Sequence, residues 1–232
     1  MTRGRADPGK RLRNARGRTA SSARWLERQL SDPYVRQAKA EGYRSRAAYK
    51  LRELDDRYAL LRHATRVVDL GAAPGGWAQV VRQRAPKAAI VGIDLLPVEP
   101  MEGVVLLQED FTAPGADARI LAALGGPPDL VLSDMAANTV GHKQTDHLRT
   151  MGLVEAAAQF AFDTLAPGGH FVAKVLAGGT DGALLAELKR HFASVRHAKP
   201  PASRKGSSEW YVVAMNRKPA MVPAHQAAPA AD

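Results

Sequence analysis

Short apolar runs that end in charged residues constrain this chain more than any other feature. Arg66-Val67-Val68-Asp69-Leu70 leads into a glycine-rich turn, and Ala88 to Ile93 ends in Asp94. Val104 to Leu107 is followed by Asp110, Leu130-Val131-Leu132 by Ser133-Asp134, and His170 to Val175 contains Lys174. Helical stretches are expected between these runs, at about 74–85, 116–124, 146–166 and 181–192. Apolar runs without alternation suit strands covered on both faces, so alternating strands and helices predict a mostly parallel sheet with helices on both sides. Two late runs, Ser194 to His197 and Trp210 to Ala214, have no long helix between them. They predict a C-terminal antiparallel strand pair. The expected fold class is α/β.

In such sheets ligands bind at the carboxyl ends of the strands. Asp69, Asp94, Asp110, Asp134 and Lys174 all fall at or near those ends, and five charged side chains there are hard to explain as packing. The loop Asp69-Leu70-Gly71-Ala72-Ala73-Pro74-Gly75-Gly76-Trp77 follows the first strand and opens a helix. Its glycines let the backbone approach a ligand, and Pro74 suits a helix start. Gly71, Ala73 and Gly76 satisfy a loose dinucleotide pattern, which keeps a nicotinamide cofactor under consideration. The density of acids favours S-adenosyl-L-methionine, since a pyrophosphate gains nothing from carboxylates. Asp69 suits the methionine ammonium, Asp94 the ribose hydroxyls and Asp110 the adenine amino group, whereas Trp77 reads as packing. A nicotinamide oxidoreductase would also want a Tyr and Lys at helical spacing, and Tyr49-Lys50 are adjacent and face apart.

A lysine inside the apolar strand Phe171-Val172-Ala173-Lys174-Val175 is costly to desolvate and calls for a purpose or a partner. Asp134 ends the neighbouring strand, Lys50 lies on the helix before the first strand, and Glu209 precedes the last. Two lysines and two carboxylates beside a sulfonium suit methyl transfer to a hydroxyl. Lys174 would then act either as a base of lowered pKa or as a protonated steering group. The residues alone leave both roles open.

The charge is concentrated at one end. Residues 1–50 carry fourteen Lys and Arg against four Asp and Glu, while the rest of the chain carries nineteen of each. A phosphate backbone is the most direct partner for such a segment, because binding releases its counterions. An anionic membrane would require an apolar helical face that the segment lacks. Residues 1–20 and 217–232 read as disordered tails around a single domain at 21–216. Within residues 21–60, basic helices are expected at about 22–30, at 33–40 behind an Asp32 cap, and at 46–58 behind a Ser45 cap. There is no cysteine, which excludes disulfides, Cys-ligated zinc, iron–sulfur clusters and a cysteine nucleophile; no metal site is assigned. The absence of long apolar runs and of a signal peptide predicts a cytoplasmic protein.

The chain resembles the FtsJ/RrmJ (RlmE) family of ribosomal RNA 2′-O-methyltransferases. The matching stretches are Ser22 to Leu26, Asp32 to Val35, Arg44 to Ala47 with Lys50-Leu51, and Val67 through Trp77. Asp94-Leu95-Leu96-Pro97, Ser133 to Ala136, Leu165 to Gly169 and Ser208-Glu209 complete the set. The resemblance implies a Rossmann-like methyltransferase sheet and a Lys-Asp-Lys-Glu tetrad on Lys50, Asp134, Lys174 and Glu209, with Lys174 central. Cofactor contacts are implied around Asp69, Gly71, Ala72, Pro74, Gly75, Gly76 and Trp77, with Asp94 and Leu95 at the ribose, Asp110 and Phe111 at the adenine, and Asp134 nearby. RNA contacts are expected at Arg24, Arg28, Arg44 and Arg46 of the basic N-terminal segment. The implied reaction is 2′-O-methylation of a uridine in the A loop of 23S rRNA, within the large ribosomal subunit, by a monomer. Two segments depart from the family: Ala137 replaces a proline after Asp134-Met135-Ala136, and Leu176-Ala177 replace an aromatic residue and glutamine after Lys174. The alternatives are another RNA acceptor, such as tRNA or an mRNA cap, or a basic RNA-binding assembly factor with a vestigial cofactor site.

Overall fold

The computed structural model describes residues 31–137, 141, 143–176, 182–204 and 206–219. The expected helix at 22–30 and both tails up to residue 20 and from 220 lie outside the described residues. In chain order the elements are α1 (Pro33–Ala40), α2 (Ala47–Tyr58), β1 (Arg66–Leu70), α3 (Gly76–Arg84), β2 (Ala89–Asp94), β3 (Val105–Gln108) and α4 (Ala116–Leu124). They continue with β4 (Leu130–Ser133), α5 (Lys143–Thr164), β5 (His170–Leu176), α6 (Gly182–His191), β6 (Phe192–Ala198) and β7 (Glu209–Arg217). The seven strands form one sheet in the order β3-β2-β1-β4-β5-β7-β6. The first five pair in parallel, and β7 runs antiparallel to both β5 and β6. This is the expected mostly parallel sheet with an antiparallel C-terminal pair.

The period of two along each strand sorts the side chains into two cores. Val68, Leu70, Val131, Phe171, Ala173 and Val212 pack with α4, α5 and α6 through Ile120, Ala157, Ala161 and Leu188. The alternate positions Val67, Ile90, Leu132, Val172 and Val213 pack with α2 and α3 through Leu51, Leu54, Trp77 and Val80. By the same parity Asp69, Asp134, Lys174, Glu209 and Tyr211 belong to the α2–α3 face. That face is where α2 brings Lys50.

Two expected helix starts fall differently. Asp32 caps α1 as expected, its carboxylate accepting from the Tyr34 amide at 3.0 Å. Ser45 does not cap α2: the helix begins after Arg46, and the buried Ser45 hydroxyl has no partner. It packs against Gly76, where a Cβ would lie 2.5 Å from the Ser45 Oγ. Pro74 likewise does not open α3. The chain turns through Gly75 at φ 105°, and the helix starts at Gly76. Bare glycine surface at 75 and 76 thus lets the start of α2 abut the start of α3.

Candidate active site

β1 lies between β2 and β4, so the chain reverses its direction of travel across the sheet at β1. A crevice at the strand ends is expected at such a reversal. The glycine-rich loop occupies it and is held down from both sides. The Gly71 and Ala72 amides donate to the Ile93 carbonyl at 2.8 and 3.1 Å. The Asp94 carboxylate accepts from the Ala73 amide at 2.9 Å and from the Leu96 amide at 2.8 Å. A Cβ on Gly71 would meet the Met135 side chain at 2.2 Å, and the φ of +78° there already disfavours other residues. Met135 therefore lies over the loop, linking it to the segment that carries Asp134.

Asp69 is 1% exposed, and its Oδ2 has no hydrogen-bond partner. Burial, followed by the nearby Asp134 and Asp94 carboxylates, pushes its pKa up to about 7, against a smaller opposing effect of the Ala78 amide. Asp110 lies beyond β3, exposed, with Oδ1 accepting from the Thr112 amide and hydroxyl at 2.9 and 2.7 Å; those two bonds hold its pKa below the ordinary carboxylate value. Phe111 packs against the α4–α6 core, while Leu95 stands in solvent at 67% exposure. Trp77 is buried, its indole N–H donating to the Ala47 carbonyl at 2.8 Å and its ring 5.8 Å from that of Tyr211. Its side chain therefore joins α2 to α3 in the core, as the packing reading expected.

The four tetrad positions, up to 159 residues apart in sequence, meet on the same sheet face. The Lys50 Nζ lies 2.5 Å from Glu209 Oε1 and 3.5 Å from Asp134 Oδ2. The Lys174 Nζ lies 3.2 Å from Asp134 Oδ1 and 3.8 Å from Glu209 Oε1, and it donates to the Asp134 carbonyl at 2.5 Å. The lysine side chains are 9% and 11% exposed, so these contacts form in a poorly solvated setting. Burial raises the Asp134 carboxyl, but Lys174, Lys50 and the Tyr211 hydroxyl outweigh it and hold the group below its usual pKa.

Tyr211 is a member of this cluster that the sequence reading missed. Its hydroxyl donates to Asp134 Oδ1 at 2.5 Å and lies 3.5 Å from Glu209 Oε1. Burial and both carboxylates raise its pKa well above the ordinary phenol value, so it stays a donor. A signal for it existed: Tyr211 is two residues past Glu209 in the last strand and therefore shares its face.

Among the four arginines expected to meet RNA, Arg24 and Arg28 lie outside the described residues. Arg44 and Arg46 spend their guanidinium groups on the protein itself. Arg46 pairs with Asp32 at 3.1 Å, donates to the Ala202 carbonyl, and lies 5.7 Å from the centroid of the Tyr34 ring. Arg44 donates to the Glu99 and Pro100 carbonyls at 2.6 and 2.8 Å, with a longer contact to Pro74 at 3.4 Å. A nearby latch joins α1, α2 and the β6–β7 connection: Glu53 accepts from the Tyr34 hydroxyl and the Ala202 amide, and Arg204 donates to Asp32.

A family model described as FtsJ-like methyltransferase matches residues 43–217. A protein of Erythrobacter litoralis named Ribosomal RNA large subunit methyltransferase E is 72% identical over 218 residues, covering 94% of this chain and 99% of that one. Its namesake from Novosphingobium aromaticivorans is 69% identical over 218 residues, covering 94% and 98%. Among solved structures, a ribosomal RNA methyltransferase from Plasmodium falciparum superposes with a TM-score of 0.68 at 32% identity, covering 75% of this chain and 98% of that one.

Proposed function

The chain belongs to the FtsJ-like methyltransferase family, and from that membership we propose that it moves a methyl group from S-adenosyl-L-methionine to a ribose 2′-OH, that of a uridine in the A loop of 23S rRNA within the large ribosomal subunit. The observation that carries this reading is the convergence of Lys50, Asp134, Lys174 and Glu209 beside the glycine-rich loop. The printed names of the relatives support ribosomal RNA as the acceptor. The match over residues 43–217 supports reading 21–216 as one methyltransferase domain. Only four large apolar side chains among the described residues stand exposed, which supports a monomer.

The residues present fit the donor. Asp69 offers a buried carboxylate oxygen with no partner, and Asp69, Asp94 and Asp134 line neighbouring strand ends, a setting that suits a cation. Asp94 keeps a lone pair on each oxygen for ribose hydroxyls, and Asp110 Oδ2 remains for the adenine amino group. When bound, S-adenosyl-L-methionine supplies an electrophilic methyl on a sulfonium.

The protein's own part is positional and electrostatic. An ammonium has three protons. Lys174 directs two toward the Asp134 carbonyl and carboxylate, leaving the third for the acceptor oxygen. Lys50 and Glu209 fix each other, and Asp134 with Tyr211 holds Lys174 in place. The bound donor would supply the methyl to the acceptor oxygen that Lys174 orients, with the rest of the tetrad holding that lysine in place. The hydroxyl proton leaves to Lys174 Nζ if that nitrogen is a free amine, or to water if it is an ammonium.

The test is transfer of labelled methyl to large subunits, free 23S rRNA and tRNA, with mapping of the modified nucleotide. Label on the A-loop uridine 2′-O, lost by about 10²–10⁴-fold in Lys174→Ala while RNA binding persists, is the expected result. Label on another RNA moves the acceptor and points to the segments around Ala137 and Leu176. Bound cofactor with no transfer to any RNA overturns the enzyme reading in favour of an assembly factor.

A further inference from the structure

The arginine nearest the glycine-rich loop is turned inward. Its Nη1 donates to the Glu99 carbonyl at 2.6 Å and reaches the Pro74 carbonyl at 3.4 Å, and its Nη2 donates to the Pro100 carbonyl at 2.8 Å. Pro74 belongs to the glycine-rich loop after β1; Glu99 and Pro100 belong to the loop after β2 that begins at Asp94. The side chain thus ties together two loops that flank the same strand ends. Its own backbone is fixed by Gln79 of α3, which accepts from the Arg44 amide at 2.7 Å and donates to the Gly42 carbonyl at 3.0 Å. Room for it is built into the loop. A Cβ on Gly75 would lie 2.9 Å from Arg44 Nη1 and 3.2 Å from its Cδ.

A second tie joins the same loops, where the Asp94 carboxylate accepts from the Ala73 amide at 2.9 Å. Asp94 and Arg44 therefore fasten the same pair of loops at two points. The loop after β2 has further tethers: the Gln108 side-chain amide of β3 donates to the Leu95 carbonyl at 3.4 Å, and the Val104 amide donates to the Met101 carbonyl at 3.1 Å. The loop also carries Leu95 and Leu96 next to Asp94, at 67% and 64% exposure. A planar guanidinium fork spans carbonyls of two loops, whereas the compact ammonium of a lysine does not.

We propose that Arg44 is a positioning residue for the methyl donor, clasping the glycine-rich loop and the loop after β2 around the nucleoside, and that it is not a phosphate contact. The proposal rests on the donor reading above. It gives the basic N-terminal segment a second duty: one of its arginines shapes the donor site instead of gripping RNA. Weakening of a prebuilt site by loss of two or three carbonyl bonds predicts a donor Kd about ten- to thirty-fold higher.

The test uses the full chain and the variants Arg44→Lys, Arg44→Gln and Gln79→Ala. Three quantities are measured: Kd for S-adenosyl-L-methionine, affinity for large ribosomal subunits across a salt series, and amide exchange over residues 95–104. The expected result is weaker donor binding and faster loop exchange in both Arg44 variants, with RNA affinity and its salt slope unchanged. Gln79→Ala, which alters no charge, shifts donor binding in the same direction by a smaller factor, and it carries the test if the Arg44 variants do not fold. Donor affinity and loop exchange at wild-type values in Arg44→Lys and Gln79→Ala overturn the proposal. So does a fall of about one in the salt slope of Arg44→Gln with the donor still tightly bound, since that marks a phosphate contact. If the wild-type chain binds no S-adenosyl-L-methionine, the donor reading fails. Loop exchange then decides the clasp by itself: faster in Arg44→Lys sustains it, unchanged overturns it.

Discussion

Two groups of carboxylates share one end of the sheet, and they are satisfied in opposite ways. Around Asp134 the charges balance: two lysines, two carboxylates and a phenol donor contact one another within 2.5 to 3.8 Å. Around the glycine-rich loop they do not. Asp69, Asp94 and Asp110 receive only amides and a hydroxyl, and among the described residues none of the three forms an ion pair with lysine or arginine. The first group is complete once the chain has folded. The second is left in electrostatic deficit, and a cationic ligand completes it. Folding energy therefore maintains the tetrad, while binding energy maintains the donor site.

The comparison breaks most severely at Asp134. Asp134→Asn removes the charge that Lys50 and Lys174 share, and uncompensated buried charges cost about 3–5 kcal/mol. Urea unfolding should show that loss, with methyl transfer abolished. The opposite sign is expected at Asp69, where the folded-state pKa of about 7 lies above the ordinary aspartate value of 3.8. The fold prefers the protonated acid, so that stability is fully present below about pH 4 and is lost as pH rises through 7. Asp69→Asn should therefore gain stability over wild type at pH 8 and little at pH 4. Unfolding curves at the two pH values check this, and a uniform shift would refute it. Asp134 titrates in the other sense: its lowered pKa means that its contribution stands at neutral pH and fades on strong acidification. Tyr211→Phe is the smallest change, deleting one hydrogen bond to a carboxylate, worth about 1.5–3 kcal/mol. It should lower Tm by a few degrees and leave donor Kd unchanged, because Tyr211 belongs to the balanced group.

The strands were legible because each apolar run is short and ends in a carboxylate, and the sheet followed from their alternation with helices. Asp69, Asp94, Asp134 and Lys174 were legible for the same reason, since charge at a buried strand end is rare. Lys50 and Glu209 were singled out by their places before the first and last strands, and the family resemblance joined them to the tetrad. What escaped was the direction of side chains whose chemistry permits two uses. Arg44 and Arg46 look like RNA contacts in a basic segment, but carbonyls at Glu99, Pro100 and Ala202 claim them. Ser45 has the side chain of a cap, yet close approach to Gly76 takes it off the helix axis. Tyr211 looked like one more aromatic in an apolar strand until its register opposite Lys174 set it beside Asp134.

The last strand, β7, is inserted between β5 and β6 and carries Glu209 to the Lys50 ammonium. A ribosome making this chain delivers Lys50 early and Glu209 close to the end. Until β7 is threaded home, β5 is the open edge of an unfinished sheet, Lys50 lacks Glu209, and Asp134 lacks the Tyr211 hydroxyl. A chain that lacks β7 thus lacks half of the carboxylates in the tetrad, and the cluster closes only when that strand is in place.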